Sequence, residues 1–230
     1  MYFIIFFVFV LLLAYLKTDF IRKNSVKLYA VAFLIAIADI GSQIYLISQK
    51  IRLQGLIQQA ESIFSRGILG TAFIAVVMYT GALNSRKPLT KKLLSVRAEL
   101  SIIGCLFIIP HNVVYGYYSL NNLLKVWSAP ASNFKTTSLC ISLSGILAVA
   151  IMIPLFVTSF RTVRKKMKAK SWKKLQSLSY LFYFLIYFQI MMISLGFENR
   201  KNYLSAALYS VVFISYAILR IRKKLSSAKS

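Results

Sequence analysis

Long apolar runs alternate along this chain with short segments rich in lysine and arginine. A hydrocarbon core about 30 Å thick needs roughly 20 mostly apolar residues in helical form. Seven runs approach this length, which predicts an all-α integral membrane protein built as a seven-helix bundle. The predicted spans are Tyr2–Leu16, Leu28–Ile47, Gly67–Leu83, Leu100–Tyr118, Leu139–Phe160, Leu175–Leu195 and Tyr203–Leu219.

Two of the connections between spans have informative patterns. Residues Ile51–Phe64 place their apolar side chains on one face of a helix. This segment is either an interfacial helix lying on the membrane surface or an amphipathic loop packed on the bundle. Residues Leu120–Thr137 include Trp127 and Pro130. They predict an irregular loop with an aromatic anchor at the membrane interface.

The charge of the chain follows the same alternation. The 230 residues carry 29 Lys and Arg against five Asp and Glu, a formal net charge of +24. Of the basic residues, 22 fall in alternate connections and the C-terminal tail, and seven fall on the other side. Because cytoplasmic loops are enriched in Lys and Arg, we predict a multi-pass protein of the cell membrane, with its N-terminus outside and its C-terminus in the cytoplasm. The lipid bilayer is the expected partner, and nucleic acid is not.

Polar side chains inside the spans are the candidates for chemistry, because their burial in hydrocarbon is costly. Asp39 and Gln43 lie one turn apart in the second span, where a proton or ion site and a structural hydrogen bond are both open. His111 follows Pro110 in the fourth span and is the only histidine. A single histidine excludes a two-histidine metal site within the chain, and no metal site is predicted.

Helical rise sets the predicted depth of three polar side chains. His111 lies fourteen residues beyond Arg97, which is about 21 Å at 1.5 Å per residue. Gln189 lies fifteen residues beyond Lys174, about 22 Å by the same rise. His111 and Gln189 are therefore predicted to lie at matching depth. Gln176, thirteen residues before Gln189, lies on much the same side of that helix, near its cytoplasmic end.

A series of short motifs runs from the third span to the sixth. They are Thr80-Gly81-Ala82, Pro88-Leu89, Lys91-Lys92-Leu93, Pro110-His111, Pro154-Leu155, Thr158-Ser159, Trp172-Lys173, Leu175-Gln176 and Phe188-Gln189. In this order they resemble the ferric reductase-like transmembrane domains, most closely the haem-bearing membrane subunit of the bacterial periplasmic methionine sulfoxide reductase system. The resemblance covers Thr71–Leu219. It implies a six-helix core at 28–220, an extra helix and cytoplasmic loop at 1–27, and a basic cytoplasmic tail at 221–230.

The resemblance also implies electron transfer, but the residues depart from the family pattern. Members hold haem between histidines on two facing helices, and the later helix presents two of them at thirteen-residue spacing. Here those positions are Gln176 and Gln189, and only His111 keeps an imidazole. An amide oxygen is a poor haem ligand beside an imidazole nitrogen, so bis-histidine haem is not expected. These three residues are the candidate cofactor-binding residues, with a single-ligand haem, a quinone or a flavin left open. Together with the matching depths, the resemblance predicts that the fourth and sixth spans face each other through His111 and Gln189.

Three functions stay open. The first is a membrane redox component with a non-standard or partner-completed cofactor, which would exchange electrons with another membrane or extracytoplasmic redox protein. The second is a haem-free relative acting as a membrane scaffold or binding subunit. The third is a small-molecule transporter with Asp39 and His111 in a polar path, although the paired discontinuous helices of many transporters are not evident. No catalytic residue is identified, and whether the chain is an enzyme is open.

Overall fold

The computed structural model describes residues 2–128, 130–198 and 201–228. Over these residues every regular element is helical, which confirms the all-α prediction. The helices are α1 (Tyr2–Leu16), α2 (Thr18–Lys23), α3 (Ser25–Ser48), α4 (Gly55–Ser65), α5 (Ile68–Ala82), α6 (Pro88–Ser95), α7 (Arg97–Trp127), α8 (Asn133–Val157), α9 (Arg161–Arg164), α10 (Ala169–Gln176), α11 (Ser179–Leu195) and α12 (Tyr203–Ala228). They form two compact units: unit 1 is Met1–Val114 with Arg220–Ser230, and unit 2 is Tyr115–Leu219.

The long helices confirm a multi-pass membrane protein. Within the described part of the chain, five are long and apolar enough to cross a bilayer, namely α3, α7, α8, the segment Ala169–Leu195 made by α10 and α11, and α12. A sixth crossing results if α4 and α5, which meet at a 43° bend, count as one span. Helix α1 is also apolar but shorter, at 15 residues. Each of the seven predicted spans overlaps one of these apolar helices.

The predicted loop at Leu120–Thr137 is wrong over most of its length. Helix α7 continues through Trp127, and α8 already begins at Asn133. Residues 119–127 contain neither proline nor glycine, so nothing local ends the helix until Pro130. Ser132 then starts α8, where its hydroxyl oxygen accepts a hydrogen bond from the Lys135 backbone N–H at 3.1 Å. Apolar length predicts the span, whereas caps and breakers decide where its helix ends.

The connection Ile51–Phe64 is helical from Gly55 onward, where it forms α4. Leu56 and Ile57 at its first turn are 81% and 67% exposed. Exposed apolar side chains on a short amphipathic helix fit the interfacial interpretation.

Helix α5 is the centre of unit 1. It is apolar on all sides and buried along most of its length. Helix α1 packs on it, with the rings of Phe7 and Tyr79 5.6 Å apart. The first half of α7 runs antiparallel to α5, and a Cβ added to Gly70 would lie 2.9 Å from the Gly104 oxygen. The two glycines therefore bring the backbones of α5 and α7 together, as small residues do between membrane helices.

Unit 2 is organised around the α8–α11 pair, which forms its most extensive helix contact. The other side of α11 packs on the first part of α12. There the rings of Tyr183 and Tyr216 are 5.7 Å apart, and those of Tyr187 and Phe213 are 5.4 Å apart. The Tyr187 hydroxyl also lies 2.9 Å from the hydroxyl of Ser210. Large side chains thus fill the space between α11 and α12.

Candidate functional site

His111 lies on α7 beside the corner that joins α4 to α5. Its Nδ1 atom is 3.2 Å from the Ser65 carbonyl oxygen. Because a carbonyl oxygen can only accept, Nδ1 carries the proton of this hydrogen bond, and in the neutral ring the lone pair is on Nε2. Gly67 forms the corner with a left-handed φ of 66°. A Cβ there would lie 3.2 Å from the Cβ and Cγ atoms of His111, so the corner also fixes the position of the ring.

Gln189 is directed at α8. Its Nε2 donates to the Ile141 carbonyl oxygen at 3.4 Å. Gly145, one turn further along α8, provides the space, since a Cβ at that position would lie 2.8 Å from Gln189 Nε2. The amide therefore occupies a notch in the surface of α8 and ties α11 to it.

Gln176 contacts the opposite end of the same helix. Its Nε2 donates to the Thr158 hydroxyl oxygen at 3.2 Å, and that hydroxyl donates to the Pro154 carbonyl oxygen at 2.6 Å. The indole of Trp172 donates to the Thr158 carbonyl oxygen at 3.2 Å. The Arg164 guanidinium lies 4.1 Å above the Trp172 ring, within the range of a cation–π contact. Thr158 is thus the point where α10 is held against the end of α8.

The structure places the three candidate residues in separate surroundings. His111 belongs to unit 1, and Gln176 and Gln189 belong to unit 2. The two glutamines share a neighbour, α8. The predicted pairing of His111 with Gln189 stays a prediction.

Of the polar pair Asp39 and Gln43 in the second predicted span, Gln43 has a defined hydrogen-bond partner. Gln43 is 8% exposed, and its Nε2 donates to the carboxylate of Glu61 on α4. This favours the structural interpretation of Gln43, because the bond ties α3 to α4. One carboxylate oxygen of Asp39 is buried beside it.

Sequence reasoning missed the partners of these side chains. Ser65 and Ile141 act through backbone oxygens, which leave no trace in a sequence. Gly145 did carry a signal, because a glycine inside an apolar span marks a close approach. Thr158 was noted as part of a motif but not as a hydrogen-bond partner.

Comparison with known proteins agrees with the motif resemblance. Residues 66–187, more than half of the chain, match the family described as ferric reductase like transmembrane component. The chain belongs to this family. A Treponema pallidum (strain Nichols) protein described only as uncharacterized is 34% identical over 169 residues, which cover 72% of this chain and 44% of that protein. The chain thus spans less than half the length of this relative. No solved structure matches the chain.

Membership of the ferric reductase-like family implies haem, and the residues can be tested against it. A bis-histidine haem needs two imidazole nitrogens, and the 230 residues contain one histidine. The amides of Gln176 and Gln189 are hydrogen-bonded to α8. The residues of this chain therefore do not fit a bis-histidine haem.

Proposed function

We propose that this ferric reductase-like protein is a membrane redox component that passes electrons across or within the bilayer with a cofactor other than bis-histidine haem. The family match over residues 66–187 carries the proposal. The motif order adds a likeness to the haem-bearing membrane subunit of the bacterial periplasmic methionine sulfoxide reductase system. Another membrane or extracytoplasmic redox protein is the proposed partner, in a cell membrane with the N-terminus outside.

The setting of His111 supports a cofactor contact at this residue. Histidines that ligate metals generally donate their other ring N–H to a carbonyl or carboxylate oxygen, which sets the tautomer and the ring orientation. The Ser65 oxygen plays this part for His111 Nδ1. The lone pair on Nε2 can ligate iron, or accept a hydrogen bond from a quinol hydroxyl or a flavin N–H. Gln176 and Gln189 are the other proposed contributors.

The absorption spectrum of the full chain, purified from haem-supplied cells, tests the proposal. We expect no sharp low-spin α and β bands. A broad five-coordinate spectrum that His111→Ala abolishes and Gln43→Ala preserves would identify a single-ligand haem. Extraction and chromatography of the same sample would detect a bound quinone or flavin. Low-spin bands at one haem per chain would contradict the exclusion of bis-histidine haem.

A haem-free scaffold is the second candidate, and one observation favours it. Both glutamines stand at positions that match haem-ligand histidines of the family in the resemblance, and both hydrogen-bond to α8, so their amides serve helix packing. A purified protein that carries neither pigment nor extractable quinone or flavin, yet retains a membrane or surface partner, would support this function over electron transfer.

A further inference from the structure

Basic side chains converge on the last turn of α5. Arg220 Nη1 and Lys223 Nζ each donate to the Gly81 carbonyl oxygen at 3.0 Å. Lys223 Nζ also donates to the Leu83 carbonyl oxygen at 2.7 Å. Arg97 Nη2 lies 3.3 Å from the position that a Cβ on Gly81 would occupy. We call Arg97, Arg220 and Lys223 the Gly81 cation cluster; all three belong to unit 1 and are half-buried.

The positive charge of this cluster exceeds what its own helices balance. The C-terminal end of a helix amounts to about half a negative charge. Glu99, which is 2% exposed, is the only carboxylate on α5, α7 and α12, the helices that meet here. Counting both against the three cations leaves a surplus of about 1.5 positive charges. Half-buried charges are screened less than exposed ones, so this surplus attracts an anion.

The three groups also have the chemistry of an anion site. A single cation would be enough to cap a helix C-terminus. Here two guanidinium groups and one ammonium group come from α7 and α12, and Gly81 leaves room for Arg97 because it has no side chain. Guanidinium groups offer parallel N–H donors that match the oxygens of a phosphate, and lysine adds a point charge.

We infer that the Gly81 cation cluster binds a phosphomonoester. Such a group carries about −1.5 to −2 charges at pH 7, which matches the surplus of the cluster. The same chemistry can come from the head group of phosphatidic acid or from a soluble phosphate. The inference does not depend on the cofactor or on the redox proposal.

Binding to the full chain in phosphatidylcholine nanodiscs tests the inference. One arm titrates inorganic phosphate at constant ionic strength, and the other adds phosphatidic acid against phosphatidylglycerol as the singly charged control. Saturable binding of inorganic phosphate assigns a soluble ligand. Binding of phosphatidic acid alone, in preference to phosphatidylglycerol, assigns a lipid. Absence of saturable binding in both arms overturns the inference.

Matched variants locate the site. Arg97→Gln, Arg220→Gln and Lys223→Gln each remove one charge of the cluster and should weaken binding about tenfold. Arg222→Gln and Lys224→Gln remove exposed charges from the same helix and should change it about twofold or less. Equal losses in both sets would show a diffuse basic surface and overturn the site.

A measurement on the unaltered chain tests the site even where a variant fails to fold. The ligand should protect Lys223 from acylation more than Lys224, as read by mass spectrometry. Equal protection of the two lysines would overturn the site.

Discussion

Gly55 and Gly67 have nearly the same backbone conformation, with φ of 63° and 66°, but different surroundings. A side chain at Gly55 would meet open space, whereas one at Gly67 would press on the His111 ring at 3.2 Å. The backbone alone explains a glycine at both positions, since L-residues avoid left-handed φ. The contact with His111 is an additional constraint at Gly67 only.

Replacing Gly67 separates these two effects. Gly55→Ala should lower the free energy of unfolding by about 1–2 kcal/mol from backbone strain, and Gly67→Ala should lower it further because the methyl group also displaces the ring. Thermal unfolding in detergent measures both. In a His111→Ala background the extra cost at Gly67 should fall, because the ring contacts are lost while the Cβ contact at 3.2 Å remains. An unchanged difference between the two alanine variants would contradict the contact with the ring.

The notch at Gly145 allows a second prediction at this scale. Gly145→Ala puts a methyl group at 2.8 Å from Gln189 Nε2, so the hydrogen bond to Ile141 must break. We expect a loss of stability of about 0.5–1.5 kcal/mol, the net contribution of one hydrogen bond, because the end of the flexible Gln189 side chain can move away from the methyl group. In a Gln189→Ala background the added methyl group has room, and most of the loss should disappear. An equal loss in both backgrounds in a double-mutant cycle would show that the amide is not the obstacle.

Among the helices, α5 and α7 approach most closely where Gly70 faces Gly104. A Cβ on Gly70 would lie 2.7 Å from Ile108 Cγ1 and 2.9 Å from the Gly104 oxygen. Backbone cannot yield as a flexible side chain can, so a methyl group there must separate the helices. The packing of α5 against α7 is therefore sensitive to the size of the side chain at position 70. Position 41 on α3 differs, because Gly41 faces open space.

Opposite signs are expected for two identical substitutions on these helices. Gly70→Ala should lower the unfolding free energy by about 1–3 kcal/mol through overpacking. Gly41→Ala should raise it by about 0.5–1 kcal/mol through helix propensity. Unfolding midpoints of the two variants in the same detergent compare them. A stabilised Gly70→Ala protein would contradict the close approach of α5 and α7.

How far the sequence predicted these elements depends on the kind of signal. Apolar length in a bilayer is a strong constraint, so every predicted span overlaps a helix. The end of α7 was missed because it depends on Pro130, and not on hydropathy. His111, Gln176 and Gln189 could be placed on helices by counting residues. Their hydrogen-bond partners could not, because a backbone oxygen becomes a partner only through packing.

For the whole molecule, the division of 22 basic residues against seven predicts the orientation in the membrane. In a chain with Cys105 and Cys140 replaced by alanine, a cysteine at the exposed position of Ser171 should react with an impermeant maleimide only after permeabilisation. A cysteine replacing the exposed Lys50 should react in intact cells. Labelling of Ser171→Cys in intact cells would show that the predicted orientation is reversed.

The hydrogen bond from Arg220 to the Gly81 oxygen joins residues 139 positions apart. A ribosome adds roughly 5–20 residues per second, so Gly81 is made about 7–28 s before its partner exists. During that time neither Arg220 nor Lys223 is present to donate a hydrogen bond to the carbonyl groups at the end of α5. The last turn of this central helix is therefore completed late in biosynthesis, and nascent chains stalled before Arg220 should be the forms that membrane quality-control proteases recognise there.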